Sequence, residues 1–286
     1  MSSLKMKFNP NIESLIDLAI QEDYISGDAT SESIIDSKAT GIGTIVSDEI
    51  GILAGFDIAA KVFLKIDPSL IISQFISDGS KLINGSKIAS ISGNLSSILI
   101  AERTALNFLR KLSGVATHTS KFVELISHTN AKIVDTRKTT PGYRNLEKYA
   151  VRMGGGHNHR QNLSDGILIK DNHIKILESD GLNISDVIRK AKANSSHTIK
   201  TEIEVENLDD LISALNAGVD IIMLDNMPVE MMKKAVELCD GKVITEASGG
   251  VNLSSVKAIA ETGVNLISVG AITHSSPNLD LSLDIE

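Results

Sequence analysis

"VDIIMLDNMPVEMMKKAVELCDGKVITEASGG", residues Val219–Gly250, decides the class of fold. An apolar, branched run of strand length leads into a helical pattern, "PVEMMKKAVELCD", and that helix leads into a second apolar run closed by two glycines. Strand, helix and strand at this pace make a βαβ unit with parallel strands. The strands are apolar almost throughout rather than alternating, as they are in a sheet covered on both faces or closed on itself. The same pattern continues outward in both directions. "AKIVDTRK", "GILIKDNH" and "TIKTEIEVE" precede it and "NLISVGAIT" follows, with helical stretches such as "ISDVIRKAKA", "LDDLISALNAG" and "LSSVKAIAETG" between most of them. Six such strands favour a (β/α) barrel, or a variant of one, over an open sheet. The single Cys239 sits inside a helical pattern and reads as a packed thiol; it excludes an internal disulfide and a cysteine-based zinc site.

The chain up to about Leu112 reads differently. It mixes a helix ("NIESLIDLAIQED"), short β-like runs and Gly-containing turns, and closes in "LSSILIAERTALNFLRKLSG". There Ile98, Ala101, Ala105, Phe108 and Leu112 form an apolar stripe at helical spacing, with Leu95, Leu99, Leu106 and Leu109 beside it. Arg103, Asn107 and Arg110 fall on the remaining face, and Gly114 is expected to stop the helix. The expected division is therefore 1–112 and 113–286, with the last residues free to pack back on the first part.

A net charge of −8 argues against a broad nucleic-acid or acidic-membrane footprint, and no apolar run is long enough to span a membrane. The N-terminus lacks the apolar core of a signal peptide, so a cytoplasmic location is expected. A basic cluster in such a chain must be local and aimed at something small.

The strands end in groups suited to chemistry: Arg137 and Lys138, Lys170 to His173, Glu204, Asp225, Glu246 to Gly250, and Gly270 to His274. Barrel enzymes build their sites on the loops after the carboxyl ends of strands, and the last two of these loops commonly hold phosphate. Ser248, Gly249, Gly250 and Gly270 stand at that place; the plain alternative is a pair of turns. Glu202, Glu204 and Glu206 share one strand face. Glu204 and Asp225 could hold Mg²⁺ or hydrogen-bond sugar hydroxyls, or belong to a solvated face. Arg137, Lys138, Arg144, Arg152, Arg160 and Lys170 crowd one segment and suit a small polyanion, if they are not simply solvated. "RMGGGHNHR", Arg152 to Arg160, admits two readings: a metal site of His157 and His159 with His173, or an anion clamp. The flanking arginines would repel a cation.

"DTRKTTPGYRNLEKYAVRMGGGHNHRQNLSDGILIKDNHI", Asp135 to Ile174, closely resembles the quinolinate phosphoribosyltransferases. The likeness extends through "QEDYISGDAT", "AERTALNFLRKLSGVATHT", "EVENLDDL", "IIMLDN", "EASGGV" and "ETGVNLISVGAITHS". The resemblance implies an N-terminal α/β sandwich followed by an incomplete (β/α) barrel. The implied reaction joins quinolinate to phosphoribosyl pyrophosphate with Mg²⁺, giving nicotinate mononucleotide, pyrophosphate and carbon dioxide in NAD synthesis. By the same resemblance Arg137, His159, Arg160 and Lys170 surround the pyridine dicarboxylate, and Thr136 and Lys138 lie beside the substrates, Lys138 near the pyrophosphate. Glu204 and Asp225 face the ribose hydroxyls and Mg²⁺, directly or through water. Ser248, Gly249 and Gly250, with Val269, Gly270 and Ala271, cradle the 5′-phosphate, with His274 nearby. Lys138 and Lys170 act electrostatically rather than as nucleophiles. A homodimer, in some relatives a hexamer, is implied, with Arg103 reaching the site of the other subunit; no nucleic acid or membrane partner is. Relatives associated with molybdenum transport, acting on another ring, are the nearest alternative, and the complete set Arg103, Arg137, His159, Arg160 and Lys170 argues against them. A metal-dependent hydrolase built on the His-x-His and a non-catalytic binding protein are the readings from other classes.

Overall fold

The structure, a computed structural model, describes residues 10–286. The chain opens with α1 (Pro10–Asp23) and α2 (Ala29–Ile34), then β1 (Thr40–Ser47), β2 (Gly51–Ile52), α3 (Phe56–Ile66), β3 (Ile71–Gln74), β4 (Lys81–Leu82) and β5 (Ser86–Asn94). A long helix, α4 (Leu95–Leu125), follows, and then β6 (Lys132–Val134), α5 (Arg144–Met153), β7 (Ile167–Ile169), α6 (Asp171–Ser179) and α7 (Ile184–Ala193). The remainder alternates regularly: β8 (Thr201–Val205), α8 (Leu208–Asn216), β9 (Ile221–Asp225), α9 (Val229–Cys239), β10 (Ile244–Ser248), α10 (Val256–Ala260), β11 (Leu266–Ser268), α11 (Ala271–His274) and β12 (Leu281–Ile285).

By internal packing the chain forms two compact units that are not contiguous in sequence. One takes the described residues up to Ser120, with Thr139–Gly155 and Ser275–Glu286; the other takes Lys121–Lys138 and Gly156–His274. The position after Leu112 thus falls inside α4, which continues to Leu125.

In the first unit an antiparallel sheet runs in the order β12-β1-β5-β3. The α4 stripe of Ile98, Ala101, Ala105, Phe108 and Leu112 is buried as its spacing requires, while Arg103 and Asn107 are exposed. Gly114 does not stop the helix. A Cβ there would lie 2.0 Å from the Pro277 carbonyl oxygen, so this glycine is required by the close passage of the C-terminal segment. That segment is fixed to the same helix, since the Leu279 N–H donates to the Arg110 carbonyl at 3.1 Å and Arg110 Nη2 pairs with Asp280 at 2.7 Å. It then enters the sheet as β12, Leu283 opposite Ile45 of β1. α5 joins this unit through Tyr149, whose hydroxyl donates to Asp78 at 2.7 Å, and through Tyr143, whose ring stacks on Phe108 with centroids 5.7 Å apart.

In the second unit six strands form one parallel sheet in the order β6-β11-β10-β9-β8-β7. All six apolar runs read from the sequence are present in it. β6 and β7, first in the chain, stand at opposite ends of the order, so the barrel is left open between them. Residues after the three glycines enter that gap: His157 makes a parallel bridge to Val134, its N–H donating to the Ile133 carbonyl at 2.8 Å. Side chains alternate along the strands, so Ile203, Ile222, Leu224, Ala247 and Ile267 bury one way, beneath the covering helices. The alternate positions face inward. In most barrels that interior is filled with branched apolar residues. Here it carries Glu202 and Glu204 of β8, Asp225 of β9, Glu246 and Ser248 of β10 and Ser268 of β11.

Candidate active site

A cavity of about 420 Å³ opens at the carboxyl ends of the six strands. It is lined by Thr136, Arg137, Lys138, His159, Arg160, Lys170, Glu204, Asp225 and Ser248, together with Leu168, Met223, Glu246 and Ser268. Ten of the residues named from the sequence, Glu246 among them, therefore meet in one place, drawn from the ends of β6 to β10 and the segment in the gap.

The basic side is built around β6. Asp135, fully buried at its end, accepts from the His159 N–H at 2.9 Å and from Asn158 Nδ2 at 2.6 Å, which fixes the backbone that carries His159 and Arg160. Arg160 Nη1 donates to the Gly166 carbonyl at 3.1 Å. Burial, and next the neighbouring Arg137, lower the affinity of Arg160 for its proton, while Glu202 and Glu204 oppose that. Two guanidinium groups held close enough to repel each other make a place for a ligand with more than one negative charge. Lys170 extends from the end of β7 and pairs with Glu204 at 2.9 Å. His173, read as a candidate metal ligand, instead accepts the Lys170 N–H at 3.0 Å and caps α6. Arg144 and Arg152 leave the basic set. Both belong to the first unit, where Arg144 donates to Thr139 and Arg152 lies over the Tyr149 ring.

His159 differs from the arginines. The Arg160 N–H donates to its Nδ1 at 2.8 Å, and its Nε2 lies 3.1 Å from Glu202 and 3.5 Å from Glu246. An Nδ1 that accepts a hydrogen bond carries no proton, so the proton sits on Nε2, directed at the acids. His157 lies outside this cavity; it lines a second one, of about 580 Å³, at the amino ends of the strands. Burial there, and next Lys132, lower its pKa. Of the two histidines of "GHNHR", His157 thus reaches only the lower cavity, whereas His159 borders both. Glu206 falls beyond the end of β8 and is exposed, so it does not join Glu202 and Glu204.

The opposite rim belongs to the last strands. Lys138 donates its N–H to Thr136 Oγ1 at 3.0 Å, and its carbonyl accepts from Thr273 Oγ1 at 2.7 Å. A Cβ on Gly270 would lie 3.2 Å from both Lys138 Cδ and His274 Nε2, which places those three residues side by side. Val269 is buried, its N–H donating to Val134, and Ala271 begins α11. Gly249 has φ +93°, and a side chain there would strike Asn226, 2.1 Å from its Oδ1. Asn226 in turn donates to Asp225 at 2.8 Å and, through its N–H, to the Ser248 carbonyl at 2.9 Å. Gly250 follows, also at positive φ and exposed. Arg103 stands on the exposed face of α4 in the first unit, its nearest acid Glu102 at 3.9 Å.

Sequence reasoning gave no role to Asp135, and it named Glu202 and Glu246 only as part of a strand face and of a strand-end group, with no chemistry of their own. A charged residue in the middle of an apolar run, as in "KVITEAS", is the one signal that could have marked Glu246.

Two family models match: the quinolinate phosphoribosyl transferase N-terminal domain over residues 28–113 and the C-terminal domain over residues 115–284. A probable nicotinate-nucleotide pyrophosphorylase (carboxylating) from Bacillus subtilis strain 168 is 41% identical over 274 residues, spanning 96% of this chain and 93% of its own. A mitochondrial quinolinate phosphoribosyltransferase (decarboxylating) from Nicotiana tabacum is 38% identical, spanning 96% and 82%. The solved nicotinate-nucleotide pyrophosphorylase of Francisella tularensis superposes with a TM-score of 0.92 at 41% identity, each chain covered completely. The chain belongs to the quinolinate phosphoribosyl transferase family.

Proposed function

We propose that the protein transfers the phosphoribosyl group of phosphoribosyl pyrophosphate to quinolinate with loss of carbon dioxide, giving nicotinate mononucleotide and pyrophosphate. The observation that carries this is the cavity itself: Arg137, Arg160, Lys138 and Lys170 line it together with the carboxylates of Glu204 and Asp225. A pyridine with two adjacent carboxylates satisfies both guanidinium groups at once.

In this reading Arg137 and Arg160 hold the dicarboxylate, and Lys170, tethered to Glu204, contributes a point charge beside it. His159 positions Arg160 from below through its Nδ1. Thr136 shapes the turn that aims Lys138 at the pyrophosphate. Ser248 to Gly250 and Val269 to Ala271 offer backbone N–H groups to the 5′-phosphate, with His274 at the edge. As pyrophosphate departs, positive charge develops on the ribose, and Glu204 and Asp225 stabilise it electrostatically.

Glu204 and Asp225 also suit Mg²⁺. They are oxygen donors on neighbouring strands, and Glu204 commits only one carboxylate oxygen to Lys170. Bound there, directly or through water, Mg²⁺ would neutralise the pyrophosphate. A homodimer in which Arg103 serves the partner's site belongs to the same proposal; its support is an arginine on an exposed helix face. A hexamer of such dimers is the larger assembly allowed. No helix among the described residues is long and apolar enough to cross a membrane, and we place the reaction in the cytoplasm.

The test is incubation with quinolinate, phosphoribosyl pyrophosphate and Mg²⁺, followed by chromatography. Nicotinate mononucleotide is the expected product; turnover of another base but not of quinolinate would sink the assignment.

A further inference from the structure

The cavity at the carboxyl ends of the strands and the one at their amino ends share three residues: His159, Arg160 and Glu246. The barrel interior is therefore nearly a through-channel, closed by His159, Glu202 and Glu246, whose ligand-type atoms all lie within 4.8 Å of one another. We propose that Glu246 donates the proton that replaces the departing carboxylate on the pyridine ring, and that the lower cavity returns that proton from solvent. The proposal rests on the base-transfer reading above.

Three observations lead there. Glu246 is fully buried, and neither oxygen of its carboxyl group has a hydrogen-bond partner of ordinary geometry. Ser268 lies close enough to lower its pKa somewhat, yet its hydroxyl donates to the Ala247 carbonyl at 3.3 Å. Secondly, a cluster of one histidine and two carboxylates could in principle hold a metal ion, but here the histidine is committed otherwise. Its Nδ1 accepts the Arg160 N–H, so its Nε2 bears a proton where a cation would have to bind. The cluster suits protons rather than a cation, with Glu202 placed to accept from Nε2 at 3.1 Å. Thirdly, burial above all, and then the charge of Glu202, push the Glu246 pKa up to about 8, so the group is protonated at neutral pH. The charged and titratable groups lining the two cavities it joins are Glu202 and Glu204 from β8, His159 and Arg160 from the gap segment, Arg137 and Lys138 after β6, Lys170 after β7 and Asp225 of β9, with Lys132, His157, Asp165 and Lys200 on the lower side.

Loss of carbon dioxide breaks the bond from the ring carbon to its carboxyl carbon and leaves the electron pair on the ring carbon, next to the cationic ring nitrogen. The Glu246 O–H bond then breaks and a C–H bond forms, leaving Glu246 as a carboxylate. A proton from water in the lower cavity restores the acid, so each turnover consumes one solvent proton. A donor with a pKa near the working pH suits this task.

The test compares wild type with Glu246→Gln between pH 6 and 10, measuring kcat for nicotinate mononucleotide and, by calorimetry, the Kd for quinolinate. Wild-type kcat should fall above about pH 8 as the donor is lost. The variant should keep its Kd within about threefold, lose kcat on the order of 100-fold, and lose the alkaline limb. An unchanged kcat, or an alkaline limb that persists in the variant, overturns the proposal. Should the variant not fold, a wild-type kcat that stays level from pH 7 to 9.5 overturns it alone. Absence of any nicotinate mononucleotide from wild type would instead sink the base-transfer reading, so the two failures are distinct.

Discussion

Arg137 lies near enough to Arg160 to disfavour its charge, an arrangement suited to an anion between the two guanidinium groups. Arg137→Lys keeps the charge but loses the planar fork. Steady-state kinetics should show KM for quinolinate raised by roughly tenfold to hundredfold, with KM for phosphoribosyl pyrophosphate much less affected. Equal increases for both substrates would count against a dicarboxylate clamp. Glu246 gives a second prediction at this scale. Between the ordinary carboxylate pKa of 4.5 and its own of about 8, the native state holds a proton that the unfolded chain has released. Its contribution to stability therefore declines as pH rises through that window. Glu246→Gln removes the effect, so the Tm of the variant minus that of wild type should grow from pH 5 to pH 8; a constant difference contradicts the assignment. The strand-end pattern and the family resemblance made the convergence of Arg137, Arg160 and Lys170 legible in the sequence, but not which neighbouring arginines stay out of it. Arg144 and Arg152 look identical to Arg137 and Arg160 in the chain and are separated from them only by which unit α5 packs into.

Strand and helix periods made β6 to β11 readable, because a parallel strand covered by helices is apolar along its whole length. What such a pattern hides is the inward face. Glu202 and Glu246 stand at positions that the strand period assigns to the barrel interior, where the general expectation is Val, Ile or Leu. Gly114 shows a second limit. A glycine that ends a helix and a glycine that lets another backbone pass read alike in sequence, and only the Pro277 carbonyl distinguishes them. Gly114→Ala should accordingly destabilise the protein by roughly 1–3 kcal/mol, although alanine is the better helix former. Chemical denaturation checks the sign: a gain in stability would mean that the C-terminal segment does not pass α4 as described.

The two compact units interleave along the sequence, since residues 139–155 and 275–286 return to the first. That return depends on pairings such as Gly43 with Ile285, far apart in the chain, which local pattern cannot encode. The proposed sharing of sites between subunits is a property of the assembled molecule. Mixing inactive Arg103→Ala with inactive Lys138→Ala protein should restore part of the activity, because some sites in mixed dimers would carry neither substitution; no recovery despite proven subunit exchange would count against sharing. The central claim, that the arginine-lined cavity carries out decarboxylating base transfer, is tested most directly with quinolinate labelled in the carboxyl group at ring carbon 2. The account predicts that the label leaves entirely as carbon dioxide, with one nicotinate mononucleotide and one pyrophosphate formed for each labelled molecule consumed. Label retained in the nucleotide, or turnover of nicotinate in place of quinolinate, would contradict it.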